Sequence, residues 1–147
     1  MKRIAVIVGG YGQDGQLLDE HLKNLNYNVM LVGKDDIDIL DAGIVKQYIA
    51  SVIPDEIYFL AAYHHSAEDT PETDAILFKR SYDINVVSVS YFLDAINHGA
   101  PNARFFYASS SHIYSDYAGV LQNEETHPNP RNIYAITKYS GMLTCKY

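Results

Sequence analysis

The chain alternates short, continuously apolar runs with longer stretches in which apolar residues return every three or four positions. Ile4-Ala5-Val6-Ile7-Val8 is unbroken and β-branched, the pattern of a parallel strand covered on both faces. Gly9 to Gly15 punctuates it, and Leu17, Leu18, His21, Leu22 and Leu25 follow at helical spacing, predicting a helix of about three turns. Asn28 to Val32 reads as a second strand, broken by Gly33-Lys34-Asp35-Asp36. Asp41 is placed to cap a helix through Ile44, Val45, Tyr48, Ile49 and Val52 that ends before Pro54. Ile57 to Ala62 predicts a third strand.

The stretch from His64 to Asp74 is polar, contains Pro71 and reads as loop. A long helix is predicted from Ala75 to His98, with Asn85 near its middle and Gly99-Ala100-Pro101 closing it. Arg104 to Ala108 predicts a fourth strand, with Ser109-Ser110-Ser111 at its carboxyl end. A second polar loop, Ser115 to Asn129, precedes a helix from Asn132 to Tyr147 that carries no stop signal. Strands alternating with helices imply a doubly wound α/β fold: a parallel sheet with right-handed crossovers, whose ligands sit beyond the carboxyl ends of the strands. The glycine loop, the loop after the third strand and the serine run all fall on that edge.

Composition narrows the function classes. A length of 147 residues allows one domain with a real core, and 48% hydrophobic with 20% charged residues is ordinary for a soluble globular chain. Eleven Lys+Arg against eighteen Asp+Glu give a net charge of −7, so nucleic acid and anionic membrane are not expected partners. Cys145 is the one cysteine, which rules out an internal disulfide and fits the cytoplasm. Met1-Lys2-Arg3 before an apolar run imitates a signal peptide, but Gly9-Gly10 ends the run after five residues.

Gly9, Gly12 and Gly15 form G-x-x-G-x-x-G where an apolar strand meets an amphipathic helix. Glycine there permits a tight turn and lets backbone approach a diphosphate, while the helix start supplies N–H donors and a positive dipole. The full loop, Gly9-Gly10-Tyr11-Gly12-Gln13-Asp14-Gly15, has the spacing of the short-chain dehydrogenases, and its Gly-Gln-Asp-Gly ending is similar to the GDP-mannose 4,6-dehydratases. The chain thus resembles the extended short-chain dehydrogenase/reductase family, with a Rossmann-type NAD(P)-binding fold implied. Gly9, Tyr11, Gly12, Gln13, Asp14 and Gly15 would hold the dinucleotide. Asp38-Ile39 corresponds to the pair that meets adenine, and Leu60-Ala61-Ala62 resembles the turn beneath the cofactor. Gly33-Lys34, in place of an acidic residue at the end of the second strand, favours NADP(H) over NAD(H), although Asp35 or Asp36 could still swing in.

Tyr134 and Lys138 form Tyr-x-x-x-Lys on one helix face, and a neighbouring ammonium favours ionisation of a phenol whose ordinary pKa is about 10. Such a pair is common by chance. The order glycine loop, Asp38-Ile39, Asn85, serine run, Tyr-x-x-x-Lys is what the family requires. The resemblance implies that Tyr134 takes a proton from a sugar hydroxyl at C4, that Lys138 also bonds the nicotinamide ribose, and that Ser110, four residues before Tyr114, orients the reacting oxygen. Asn85 matches a helix asparagine used structurally or in proton relay, or is simply a buried amide satisfied by backbone. His112 stands where similar dehydratases carry glutamate and some epimerase–reductases cysteine. An imidazole there suits acid–base work or substrate bonding, and a loop histidine without a chemical role is the alternative. Thr70-Pro71-Glu72, after His64-His65-Ser66, also resembles the dehydratases, and no carboxylate or cysteine pattern makes the histidines a metal site.

The resemblance covers the whole chain but only the amino-terminal part of the family, so a fragment lacking the substrate-binding portion, binding cofactor weakly and turning over nothing, is expected. By analogy with relatives, the Ala75–His98 and Asn132–Tyr147 helices would pair in a homodimer. The leading expectation is a GDP-mannose 4,6-dehydratase-like enzyme acting on a nucleotide-sugar. The short Gly33 to Asp55 connection and His112 point instead to a nucleotide-sugar 4-reductase or epimerase. A non-catalytic nucleotide-sensing module is the reading of another class.

Overall fold

The computed structural model describes residues 2–64, 73–114, 119 and 121–147. The segment around His65, Ser66 and Thr70-Pro71-Glu72 lies outside the described residues. Four strands, β1 (Ile4–Val8), β2 (Asn28–Val32), β3 (Glu56–Phe59) and β4 (Arg104–Tyr107), form one parallel sheet in the order β2-β1-β3-β4. The crossovers are α1 (Gln13–Asn24), α2 (Ala42–Val52) and a long helix in two parts, α3 (Asp74–Tyr82) and α4 (Ser88–Gly99), joined by a π-helical turn at Asp83–Val87. A short 3-10 turn, Ser111–Tyr114, follows β4, and α5 (Ile133–Thr144) completes the described elements.

Period-2 alternation divides the strand residues between two faces. Val6, Val8, Val32, Ile57 and Phe59 point to the face covered by α2 and α4, where Val45, Ile49, Val89, Phe92 and Ile96 meet them. Ala5 and Ile7 point the other way, onto Leu22 of α1. At helical spacing Leu17 and Leu25 are expected to join Leu22, but both are exposed: only the stripe through Leu18 and Leu22 faces the sheet. Among the described residues no helix is long and apolar enough to cross a membrane.

Two boundaries differ from the sequence pattern for reasons that shape the site. β3 is shorter than Ile57–Ala62 because Leu60 and Ala61 both give their N–H to the Val8 carbonyl, so the chain peels away from the ladder and exposes Leu60-Ala61-Ala62 along the sheet's carboxyl edge. The long helix exists with the expected extent, yet it is widened at Asp83–Val87, where the Ser88 N–H reaches back to the Asp83 carbonyl. Such a turn carries one extra residue and marks a place where something outside the helix competes for its backbone. Asn85 lies at its centre.

Candidate functional site

α1 begins differently from the other helices that start from a loop. Asp41 caps α2 by accepting from the Ile44 N–H, Thr73 caps α3 through Ile76, and Asn132 caps α5 through Ala135 at 2.8 Å. α1 has Gly12 at that position, which makes no side-chain cap hydrogen bond, so its first-turn amides lack a capping side chain. Gly9 has φ +83°, and a Cβ there would stand 2.7 Å from the Ala61 nitrogen, so only glycine lets the β1 and β3 ends approach this closely. Gly15 packs on Gly10, with room for no Cβ. At Gly12 a Cβ would meet only the Gly9 carbonyl at 3.3 Å.

Beside this turn lies a cavity of about 750 Å³ whose walls include Gly9, Gly12, Lys34, Asp38, Ile39, Leu60, Ala61 and Ala62. Eight of the sequence-selected residues thus converge, in a space within the ordinary range for a small-molecule site. Tyr63, Arg80, Asp83 and Ile84 line it too; nothing in their spacing marks them in the sequence, since they reach the edge only through the β3 loop and the long helix. Asp38 accepts from the Leu40 N–H at 2.9 Å, and Asp83 pairs with Lys79 at 2.5 Å. Asp36 turns to the Gly33 N–H at 2.7 Å and, with its negative charge as the chief cause, holds the Tyr11 phenol above its usual range.

Tyr11, Gln13, Asp14 and Gly15 do not line the cavity. Tyr11 lies over Gly33, Gln13 and Asp14 are exposed at the helix start, and Gly15 is the buried seat of the glycine turn. Asn85 does not line it either. It is fully buried, its Oδ1 accepting from the Tyr63 N–H at 3.0 Å, its Nδ2 donating to Thr137 Oγ1 at 2.9 Å and its carbonyl accepting from Tyr107 Oη at 2.9 Å. Asn85 is therefore a brace between the β3 loop, the long helix and α5.

The remaining selected residues form a second cluster. Tyr134, in the first turn of α5, has the His64 ring edge-on at 5.0 Å and the His112 ring edge-on at 6.0 Å. Ser110 Oγ accepts from the His112 N–H at 3.2 Å, fixing the turn that presents the histidine. The neighbouring Ser109 hydroxyl is buried with no partner among the described residues. His64 is a contact that sequence reasoning did not select; its only signal is its place two residues after Ala62 on the ligand edge. Lys138 is 1% exposed, with Nζ 4.3 Å from the centre of the Tyr107 ring. Burial pulls its pKa down to about 8. The two clusters are tied together: Tyr63 of the cavity wall bonds Asn85, Asn85 bonds Thr137, and Thr137 Oγ1 donates to the Tyr134 carbonyl at 3.0 Å. Among the described residues no group of three or more His, Cys, Asp or Glu could hold a metal ion.

The fold agrees with comparison to known proteins. The model of the NAD dependent epimerase/dehydratase family matches residues 5–147. The chain belongs to that family. A GDP-mannose 4,6-dehydratase of Vibrio cholerae serotype O1 is 28% identical over 177 aligned positions, covering 99% of this chain and 46% of the dehydratase. A dTDP-4-dehydrorhamnose reductase from Bacillus anthracis strain Ames, solved in complex with NADP, superposes with a TM-score of 0.86 at 26% identity, over 99% of this chain and 50% of the reductase. The Bordetella bronchiseptica enzyme WbmG, solved in complex with NAD, shares the fold with a TM-score of 0.83 at 17% identity, over 99% of this chain and 50% of WbmG. The chain thus spans about half the length of the epimerase/dehydratase relatives it matches. Its parallel sheet is the Rossmann-like sheet of that family, whose members are nucleotide-sugar epimerases, dehydratases and reductases.

Proposed function

We propose that the chain is the NADP(H)-binding half of a nucleotide-sugar-modifying enzyme similar to the GDP-mannose 4,6-dehydratases. The observation that carries this reading is the uncapped start of α1 at Gly12, opening on a cavity whose far wall is tied by hydrogen bonds to Tyr134. The residues present fit a dinucleotide. Uncapped amides at a helix start are donors for a diphosphate, and Asp38 with Ile39 offers an acceptor and an apolar face for adenine. Lys34 at the β2 end suits a ribose 2′-phosphate, while Asp36 is engaged with the Gly33 amide. NADP(H) is therefore favoured over NAD(H).

When bound, a nicotinamide supplies a two-electron acceptor. The chain's own residues do the rest. Tyr134 takes the proton of the sugar hydroxyl, Ser110 orients that oxygen, and Lys138 would bond the nicotinamide ribose. His112 and His64, both against the Tyr134 ring, are placed to bond substrate or move a second proton.

A second reading, a nucleotide-sugar 4-reductase or epimerase, is favoured by His112 and by the similarity to the NADP-bound reductase. The alignment with the dehydratase also runs over 177 positions against 147 residues here, so the dehydratase has stretches this chain lacks. Supplying the full-length gene product with GDP-mannose and NADP, and following product mass, separates the readings. Loss of water is expected. Reduction of a 4-keto sugar with no change in GDP-mannose would replace the first reading by the second, and binding without turnover in both assays would favour a nucleotide sensor.

A homodimer is proposed on two supports. α3 packs against α5, and the pair exposes Ile76, Phe78, Tyr82, Ile136 and Leu143, with Phe78 and Tyr82 stacked at 5.8 Å. The composition, with one cysteine, supports a cytoplasmic setting.

A further inference from the structure

We propose that Tyr107 is the positioning residue of Lys138: its ring face seats the ammonium, and its hydroxyl anchors the ring to the Asn85 carbonyl. The inference deepens the reading above and rests on it for its catalytic meaning, because that reading makes the charged Lys138 the donor to the nicotinamide ribose.

The geometry is built from three elements. Tyr107 is the last residue of β4, and Lys138 Nζ stands 4.3 Å from its ring centre, well inside the range in which an ammonium is attracted by a ring face. Tyr107 Oη donates to the Asn85 carbonyl at 2.9 Å, so the π-helical turn holds the ring from its far end. Gly141, one turn after Lys138, leaves the space: a Cβ there would overlap both the Asn85 carbonyl oxygen and Tyr107 Oη. Burial pushes the Tyr107 phenol above its usual range, so it remains a hydroxyl donor at physiological pH.

A buried ammonium needs compensation or it loses its proton. Burial opposes the Lys138 charge, and the Cys145 thiol on its own helix favours it. From β4 comes the Tyr107 ring, and from the π turn only the neutral Asn85 carbonyl. Tyr134 lies a turn earlier on α5. A ring quadrupole attracts the charged lysine and ignores the neutral amine, so it keeps the proton on. Tyr107 also stacks on Phe59, with ring centres 6.1 Å apart. A core-packing role alone predicts no effect on the Lys138 proton.

The test drains the ring's electrons while holding its shape. Tyr107→Phe is compared with 3,5-difluoro- and 3,4,5-trifluorophenylalanine at the same position, all lacking the hydroxyl, and the Lys138 midpoint is read by NMR of 13Cε-labelled lysine in the whole chain. The midpoint is expected to fall stepwise with fluorine number, by about one pH unit across the series. A flat or rising series overturns the proposal. NADPH titration of the parent chain separates the two readings. A falling series without NADPH binding leaves the ring seat standing and sinks the dinucleotide site, whereas a flat series with binding sinks the seat alone.

Discussion

Lys138→Met is expected to stabilise the folded chain by on the order of 2 kcal/mol at pH 7. The argument starts from burial. Lys138 is held almost wholly away from water, and its pKa drops from 10.5 to about 8. Each unit corresponds to about 1.4 kcal/mol of preference between protonation states, so keeping the proton at pH 7 costs the fold roughly 3 kcal/mol at most. Methionine fills similar volume without the charge, which is the substitution that relieves a buried ion. The contact with the Tyr107 ring disappears with the ammonium and takes back part of the gain. Urea unfolding at pH 7 reads the result; a midpoint at or below the parent's would show that the charge is not a burden.

The same group gives the parent a pH signature. The unfolded chain holds the Lys138 proton up to about pH 10.5 and the folded chain only to about 8, so the unfolded state binds more protons between these values and stability rises with pH across that window. Below pH 8 the penalty is present in full. Tyr58, raised to about 12, and Tyr107, raised further by burial, act oppositely. Their phenols ionise first in the unfolded chain, so stability falls above pH 10. The parent is expected to gain stability above pH 8 and to lose it again above pH 10, whereas Lys138→Met lacks the rise and falls from about pH 9, because the Cys145 thiol, pushed by burial above its usual 9.0, ionises first in the unfolded chain.

Legibility in the sequence followed the range of the forces involved. β1, the Asp41 cap, the extent of the long helix and the gathering of Gly9, Gly12 and Leu60-Ala61-Ala62 on one edge could be read because each depends on neighbours a few residues away or on the edge rule of parallel sheets. Leu17 and Leu25 misled because spacing gives a helical face without saying how wide the covered stripe is. The π turn at Asp83–Val87 has no local signal. It is imposed by Tyr107, Thr137 and the Tyr63 amide, which all claim Asn85 from distant parts of the chain. His64 escaped selection for the same reason, since its partner Tyr134 lies seventy residues on.

Gly141 also carried no mark in the sequence, and Gly141→Ala is expected to destabilise the chain by about 3 kcal/mol. Helix propensity alone predicts the opposite sign, because alanine in the interior of α5 is better than glycine by about 1 kcal/mol. Contact decides against propensity. The added methyl falls on the Asn85 carbonyl and on Tyr107 Oη. Neither can retreat cheaply: one is backbone inside a helix, and the other is a ring packed on Phe59. Overpacking costs about 1–3 kcal/mol, and a buried carbonyl stripped of its donor costs about 1–3 more. Gly12→Ala is the matched control, since its methyl meets only the Gly9 carbonyl at 3.3 Å and otherwise projects beside the cavity. That variant is expected to melt within a few degrees of the parent yet bind NADPH at least about tenfold more weakly, the methyl standing where a diphosphate approaches the backbone. Thermal melts and NADPH fluorescence titrations on the two variants read the contrast. A Gly141→Ala chain as stable as the parent would mean that Asn85, Tyr107 and α5 do not form the fulcrum described. A Gly12→Ala chain binding like the parent would remove the glycine turn from the nucleotide site.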